Sequence, residues 1–502
     1  MKPRRVIGAL VGLLSAGVAL AAGQIVAALV SQAASPMVAV GETVIDHVPP
    51  SVKDFAISTF GKHDKLALLI GMGVVIAILA VLMGIASTKR PMVGYVGLVI
   101  FGGAGLLAAV TRPNADKLAV LPSLVAIGAG LAAFEVLIRT QTVEPTGDFS
   151  VDRRRFLVSG GAFALAAIVA ASASRFLSSA ARKAQASRAL FRLPKASDVP
   201  SAPSGVDLQV PGLSPFYTSN ADFYRVDTAL IVPKVRSEDW HLKIHGMVDN
   251  KIEMDINDLL NRPLIERDIT LTCVSNKVGD LLVGNARWLG TLLKPILDEA
   301  GVHSKANQIV TRSIDGFTCG TPTKAVMDGR DAMLAVGMNG DPLPLEHGFP
   351  VRMVVPGLYG YVSATKWIVD MELTTFDAFD AYWVPRGWSQ QAPIKTQSRI
   401  DTPRSQVRAG EVPVAGVAWA QHKGIAKVEV RIDDGPWQQA QLSTEDTMDT
   451  WRQWLYRWNA TSGSHTIQVR ATDKTGYTQT GHETPPPPNG ATGWHTVSVN
   501  VA

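Results

Sequence analysis

The residues best suited to chemistry in this 502-residue chain lie in two stretches, 267–293 and 339–367. In the first, Ile269-Thr270-Leu271-Thr272-Cys273 is β-branched and alternating, the pattern of a strand. Ser275 to Gly284 is rich in turn formers, and from Trp288 the spacing of Leu289, Leu292, Leu293, Ile296 and Leu297 predicts a helix. Cys273 therefore stands where a strand gives way to a loop, a common station for a functional side chain. Its thiolate is a soft ligand, suited to a soft or high-valent metal. On these residues alone, a buried thiol packed as a small hydrophobe is the commoner outcome. The second stretch carries Glu346-His347-Gly348, Arg352 and Ser363-Ala364-Thr365-Lys366-Trp367. A lone basic residue at a strand end is usually solvated surface, so it is the set that asks for an explanation.

The elements that must position these groups are legible on either side. Trp240 to Val248 alternates as a strand, and Asp255 caps a helix that runs to Leu260. Asp315-Gly316 marks a turn after Thr311. Towards the C-terminus, residues 412–419, 425–432, 465–471 and 494–501 read as short strands, with a hairpin turn at Asp433-Asp434-Gly435-Pro436. Short strands with regular turns indicate an immunoglobulin-like sandwich.

Ordered motifs in both chemical stretches resemble the sulfite oxidase family of molybdopterin-dependent oxidoreductases. The family pattern Cys-x-x-Asn, followed by Gly-Asn-x-x-Trp-x-Gly, is met by Cys273, Asn276, Gly284, Asn285, Trp288 and Gly290, and residues 339–367 resemble the family's next motif almost residue for residue. The likeness covers about residues 205–502. It implies that Cys273 is the molybdenum ligand. It further implies that Asn220, Tyr224 and Arg225 on the family's first strand touch the pterin, together with Asn276 and Asp315. On its own, Ser219-Asn220 more often marks a turn, and the plain turn reading of Asp315 stands beside the functional one. The cofactor ends in a phosphate or a phosphate-linked nucleotide, and the resemblance assigns His347, Arg352, Ser363, Thr365 and Lys366 to it, as donors of the kind such a group requires. Cys319 is left a structural role. The last domain resembles the family's dimerisation domain, through 414–419, 428–435 and 470–473, which implies a homodimer. There are departures. An Arg that precedes the first-strand Asn in true sulfite oxidases is Ser219 here, and Trp388 stands near the place of a Tyr; Arg386 supplies a compensating charge. Sulfite or a related small oxyanion is then one expected substrate, and a sulfoxide of the methionine-sulfoxide type, reduced, is the alternative.

The first 200 residues lie outside this likeness. Apolar runs at 6–30, 66–88, 93–110, 118–138 and 156–174 each approach or exceed the roughly 18–20 residues that span a bilayer. They predict a five-helix membrane anchor. Charged residues are only 18% of the chain, against about 25% in soluble proteins. Glu135 is the one charge inside a run and, beside Arg139, is expected to snorkel. Basic residues at 2–5, 89–90, 139 and 153–155 place the N-terminus in the cytoplasm, and five crossings then carry the later domains out; Arg175, Arg182, Lys183, Arg188 and Arg192 argue against this assignment. Arg153-Arg154-Arg155 before an Ala-rich run resembles a twin-arginine export signal, which carries folded, cofactor-loaded domains. No His falls within a run and no Cys-x-x-Cys-His occurs, so no haem is expected, and electrons must pass to a separate cytochrome or quinone-linked carrier. A net charge of +5 without a long basic run makes nucleic acid an unexpected partner. Residues 184–213, broken by Pro194, Pro200, Pro203 and Pro211, are expected to be too interrupted for a helix. The expected architecture is multi-domain: an anchor over 1–175, a linker over 176–204, an α+β molybdopterin domain over 205–395 and an all-β immunoglobulin-like domain over 396–502. The reading from another class is a membrane-bound binding scaffold with a degenerate site.

Overall fold

The computed structural model describes residues 3–30, 34–49, 64–111, 117–142 and 179–502, with isolated positions at 52, 55, 59, 60 and 161. It forms two compact units, Met1–Lys183 with Asp227–Pro233, and Ala184–Val226 with Lys234–Ala502. The expected fifth apolar run, 156–174, and the twin-arginine stretch before it lie outside the described residues.

The first unit is helical: α1 (Pro3–Val30), α2 (Pro36–His47), α3 (Asp64–Ser87), α4 (Met92–Val110) and α5 (Leu121–Thr142). Among the described residues, four helices are long and apolar enough to cross a membrane: Arg4–Val30, Lys65–Ser87, Met92–Val110 and Leu118–Arg139. These match four of the five expected runs. Small residues let α1 and α3 touch backbone to backbone; a Cβ on Gly12 would sit 1.9 Å from Ala80 O. Leu66, Ile70, Val74, Ile78 and Leu82 repeat every fourth residue along α3 and stay exposed, a face suited to lipid. Glu135 pairs with Arg139 one turn on, and it also accepts a hydrogen bond from Tyr95 of α4.

The second unit begins with helix α6 (Ser179–Leu190), whose first residues belong to the preceding stretch. The expectation of no helix in 184–213 fails over 184–190: Ala, Gln, Arg and Leu are good helix formers, and the first proline comes only at 194. Two sheets then follow. One has the order β2-β1-β10-β5-β6, from β1 (His241–Gly246), β2 (Ile252–Asp255), β5 (Gln308–Ser313), β6 (Thr318–Pro322) and β10 (Ile368–Thr374). β10 lies parallel to β1, and the other pairs are antiparallel. The other sheet has the order β3-β4-β7-β8, with β9 against β7, from β3 (Leu264–Thr272), β4 (Val283–Leu292), β7 (Met333–Met338), β8 (Asp341–Pro342) and β9 (Arg352–Val354). Asp255 caps the short helix α7 (Ile256–Leu260) through a capping box with Asp258, as expected.

One secondary-structure expectation is overturned at the chemical stretch. Trp288 to Leu292 are strand, and the helix α8 (Leu293–Ala300) begins only after them. β4 is buried on both faces, so it shows no alternation, and its leucines fell into helical spacing with those of α8.

The C-terminal part is a pair of four-stranded sheets, β11-β12-β16-β15 and β14-β13-β17-β18. The strands are β11 (Gln397–Thr402), β12 (Gly410–Trp419), β13 (Ile425–Ile432), β14 (Gln438–Gln439), β15 (Gln441–Leu442), β16 (Arg452–Ala460), β17 (Gly463–Asp473) and β18 (His495–Val501). Val414, Trp454 and Trp458 from the first sheet meet Val428, Val430, Ile467 and Val469 from the second in one buried core.

Candidate active site

Antiparallel pairing of β3 with β4 sets Thr270 opposite Asn285 and Thr272 opposite Val283, and the loop between them starts at Cys273. Cys273 is buried, and its N–H donates to Leu282 O at 2.9 Å. Asn276 closes the loop: its N–H donates to Cys273 O at 3.1 Å and its Oδ1 accepts from Leu282 N at 2.8 Å. The other motif residues build the frame. Asn285 accepts from Thr270 Oγ1 and donates to Phe216 O. Trp288 Nε1 donates to Ile269 O. A Cβ on Gly290 would lie 2.2 Å from Leu334 O, so glycine is what lets β4 approach β7.

The second chemical stretch folds back on itself. His347 ends a short helical turn, and Gly348, at φ 108, reverses the chain; a Cβ there would sit 3.0 Å from Arg352 Cβ and 3.1 Å from Lys366 Cβ. Glycine thus allows two basic side chains to leave the backbone side by side. Arg352 is 4% exposed and lies over the Trp288 ring at 4.9 Å. Its Nη1 donates to His347 O at 3.2 Å and its Nη2 to Ala364 O at 3.5 Å. Lys366 Nζ donates to Glu346 O at 3.1 Å. His347 Nε2 lies 3.2 Å from Asn220 O, and Asn220 is itself fixed by Met338 O and the amide of Asn339.

These residues share one electrostatic neighbourhood. Burial, then the charges of Lys366 and Arg352, push His347 down to about 3, so it is neutral. Burial alone lowers Arg352 to about 10. Burial raises the Tyr224 hydroxyl; the neighbouring Cys273 adds to this and Arg352 opposes it. Burial also raises the Cys273 thiol, against the pull of Ser275 and Lys366. A thiol so placed is not a free nucleophile; it ionises when a cation binds it. Tyr359, buried and raised by desolvation, also feels Cys273. It begins the bend that includes Gly360, whose own Cβ would face Thr272 O and the Tyr224 hydroxyl, both at 3.9 Å.

Of the remaining residues, Cys319 is coupled to Arg352, and the others hold local structure. Ser363 Oγ donates to the carbonyls of Leu358 and Tyr359, and Thr365 Oγ1 pairs with Thr311 Oγ1 at 2.6 Å. Asp315 Oδ1 accepts from Phe317 N in its own turn. Cys319 is fully buried, its Sγ 3.9 Å from Gly360 O, and burial pushes its thiol up to about 11. Arg386 stacks on Tyr382 at 3.8 Å and donates to Tyr382 O. Trp388 meets Tyr361 and Trp383, at 5.8 and 6.2 Å between ring centres. Sequence reasoning missed Tyr359 and Gly360, although both lie inside the second chemical stretch.

The family's cofactor can be tested against these residues. Arg352 is buried with no ion pair among the described residues, and its Nε has no hydrogen-bond partner there. Neither do His347 Nδ1 and Asn276 Nδ2. Buried donors left in this state cost free energy unless a ligand takes them. Donors and cations beside a thiol fit an anionic, phosphate-bearing group next to a soft metal, so the residues fit a molybdenum–pterin.

The fold and this cluster define a cofactor-dependent redox domain. Comparison with known proteins agrees. Residues 229–383 match the family model described as the oxidoreductase molybdopterin binding domain. Human mitochondrial sulfite oxidase is 27% identical over 303 residues, covering 51% of this chain and 55% of that one. The uncharacterized oxidoreductase YuiH of Bacillus subtilis (strain 168) is 30% identical over 149 residues, covering 30% of this chain and 72% of that one. The crystal structure of the sulfane dehydrogenase SoxCD from Paracoccus pantotrophus has a TM-score of 0.50 at 22% identity, covering 58% of this chain and 84% of that one, a likeness of fold alone. The chain spans about half the length of the sulfite oxidases it matches. It belongs to the sulfite oxidase family of molybdopterin-dependent oxidoreductases.

Proposed function

We propose that this chain is a membrane-anchored molybdenum enzyme that oxidises sulfite or a related small oxyanion. The observation that carries the reading is the buried Arg352, without an ion pair among the described residues, set beside His347 and Lys366, with Lys366 in the electrostatic reach of Cys273. When bound, the molybdenum–pterin supplies two-electron oxygen-atom transfer. The chain's own residues do the rest. Cys273 holds the metal. Arg352, Lys366 and neutral His347 hold the phosphate end. Asn220, Tyr224, Arg225, Asn276 and Asp315 line the pterin, and the bends built by Ser363 and Thr365 present backbone to it. Arg386 and Trp388 orient the substrate, with Arg386 answering an oxyanion's charge.

A second reading is reduction of a sulfoxide. The ring cluster of Tyr361, Tyr382, Trp383 and Trp388 supports it, because aromatic faces suit a thioether-like group better than a bare oxyanion. The four long apolar helices support anchoring in the cytoplasmic membrane, and the positive-inside pattern supports an active domain outside the cytoplasm. In this reading the C-terminal sheets form an immunoglobulin-like dimerisation domain, and a cytochrome or quinone-linked carrier exchanges the electrons.

Metal and pterin analysis of purified wild type and Cys273→Ser tests the core of this. Near one molybdenum per chain in wild type, with a disrupted centre in the variant, is expected. Wild type matured in a molybdenum-replete host that carries neither metal nor pterin would overturn the proposal. Assays in both directions with artificial donors and acceptors then decide between the two substrates.

A further inference from the structure

Within its sheet, the strand that leads to Cys273 is an edge strand: β3 pairs with β4 alone. An edge strand leaves a row of N–H and C=O groups open. Residues 197 and 198 cover its first half, through Ser197 N to Leu264 O and Glu266 N to Asp198 O, both 2.8 Å. The half next to the cysteine is covered instead by loops between the strands of the C-terminal sheets. Thr270 N donates to Asp449 O at 2.9 Å, and Trp451 N donates to Thr270 Oγ1 at 2.7 Å. Gln421, in the turn after β12, donates from Nε2 to Thr270 O and to Thr272 Oγ1, each at 3.0 Å. The far side of the cysteine loop is held from the same direction. Arg399 Nη1 donates to Asp280 O at 3.0 Å, and a Cβ on Gly279 would meet the His495 ring at 2.1 Å.

Gln421 stands out within this set. It is 1% exposed, and its Oε1 has no hydrogen-bond partner among the described residues. A buried amide satisfied on one side only is costly. The side that is satisfied grips the residue immediately before Cys273. We infer that Gln421 is a positioning residue for Cys273: it fixes the end of β3 from the C-terminal sheets, and so fixes where the thiol points. A ligand held within about half an ångström needs such outside support. The inference rests on Cys273 being the metal's ligand.

The test uses the full chain isolated without cofactor, as wild type, Gln421→Met and Trp451→Phe. Trp451→Phe is the control, because it removes a hydrogen bond to Phe216 O made by a residue on the same covering face and leaves Thr272 untouched. Cys273 alkylation by iodoacetamide is followed by peptide mapping, which separates it from Cys319. Gln421→Met is expected to speed alkylation of Cys273 roughly tenfold, the effect of losing about two hydrogen bonds on local opening, and the control by less than about twofold. In cofactor-loaded protein, Gln421→Met alone should lower molybdenum per chain. If Gln421→Met does not fold, Gln421→Asn, too short to reach both acceptors, is read in its place. Equal acceleration in variant and control, or none in the variant, overturns the inference. Absence of molybdenum from wild type instead sinks the ligand reading, and the alkylation ratio still judges the bracing.

Discussion

Replacing Arg352 by methionine separates a cofactor-binding arginine from a structural one, because the two roles predict opposite outcomes in the cofactor-free protein. Lowering the guanidinium from its ordinary 12.5 to about 10 is a penalty of about 3 kcal/mol on its charged form. Against this stand two long hydrogen bonds, at 3.2 and 3.5 Å, and the contact with Trp288 at 4.9 Å, each contributing about 1 kcal/mol. The terms nearly cancel, and methionine keeps the packing of the stem. Arg352→Met should therefore leave the urea-unfolding free energy of the cofactor-free chain within about 1 kcal/mol of wild type. With an anion in place the balance reverses, since breaking a buried pair costs about 3–5 kcal/mol. Cofactor affinity should fall on the order of a hundredfold or more, read as pterin and molybdenum retained per chain after dialysis. A variant that loses several kcal/mol without cofactor, yet retains pterin like wild type, would refute the reasoning.

Two further predictions concern pH. His347 is lowered from 6.5 to about 3, so between these values the unfolded chain binds a proton that the folded chain refuses. Stability then falls as pH drops below 6.5, by about 1.4 kcal/mol per pH unit, and is unaffected above it. His347→Gln should remove that slope, so urea titrations should show the variant gaining about 2 kcal/mol on wild type between pH 6.5 and 5; a constant difference would contradict the assignment. Asp446 carries the opposite sign. Burial, then the charge of Asp268, raises it from 3.8 to about 6, so the folded state holds a proton there that the unfolded state has lost. Stability is lost as pH rises through this window, and Asp446→Asn should stabilise the protein at pH 7 by about 1 kcal/mol after discounting for solvent screening, with no gain below pH 4.

How much of this was legible in the sequence depended on how local the signal was. The strand to Cys273, the Asp255 cap and four apolar helices each rest on a pattern within one segment, and each was readable. β4 was not, because a strand buried on both faces has no period to betray it. The helix over 184–190 was hidden by prolines that begin just beyond it. At the site, resemblance to the family's motifs pointed to Cys273, His347, Arg352 and Lys366, but not to Gly348 setting Arg352 beside Lys366, nor to Trp288 providing the face under Arg352. Gln421 and Trp451 carried no signal, since their role comes from contact with residues 151 and 181 positions earlier.

Those separations also order events in time. Synthesis at about 5–20 residues per second puts roughly ten to forty seconds between the emergence of Thr270 and that of Trp451. Only after residue 366 has emerged does the chain hold every residue of the 220–366 cluster, and until Gln421 and then Trp451 follow, the edge beside its cysteine lacks their contacts. Contacts this distant in sequence also form late, after the local ones have paid for loop closure. The loop that starts at Cys273 is therefore among the last parts of the molecule to become rigid, and its last covering contact waits until translation has passed residue 451. A chain cut short before residue 421 can carry the whole 220–366 cluster and still lack every contact that Gln421 and Trp451 make to the edge beside Cys273.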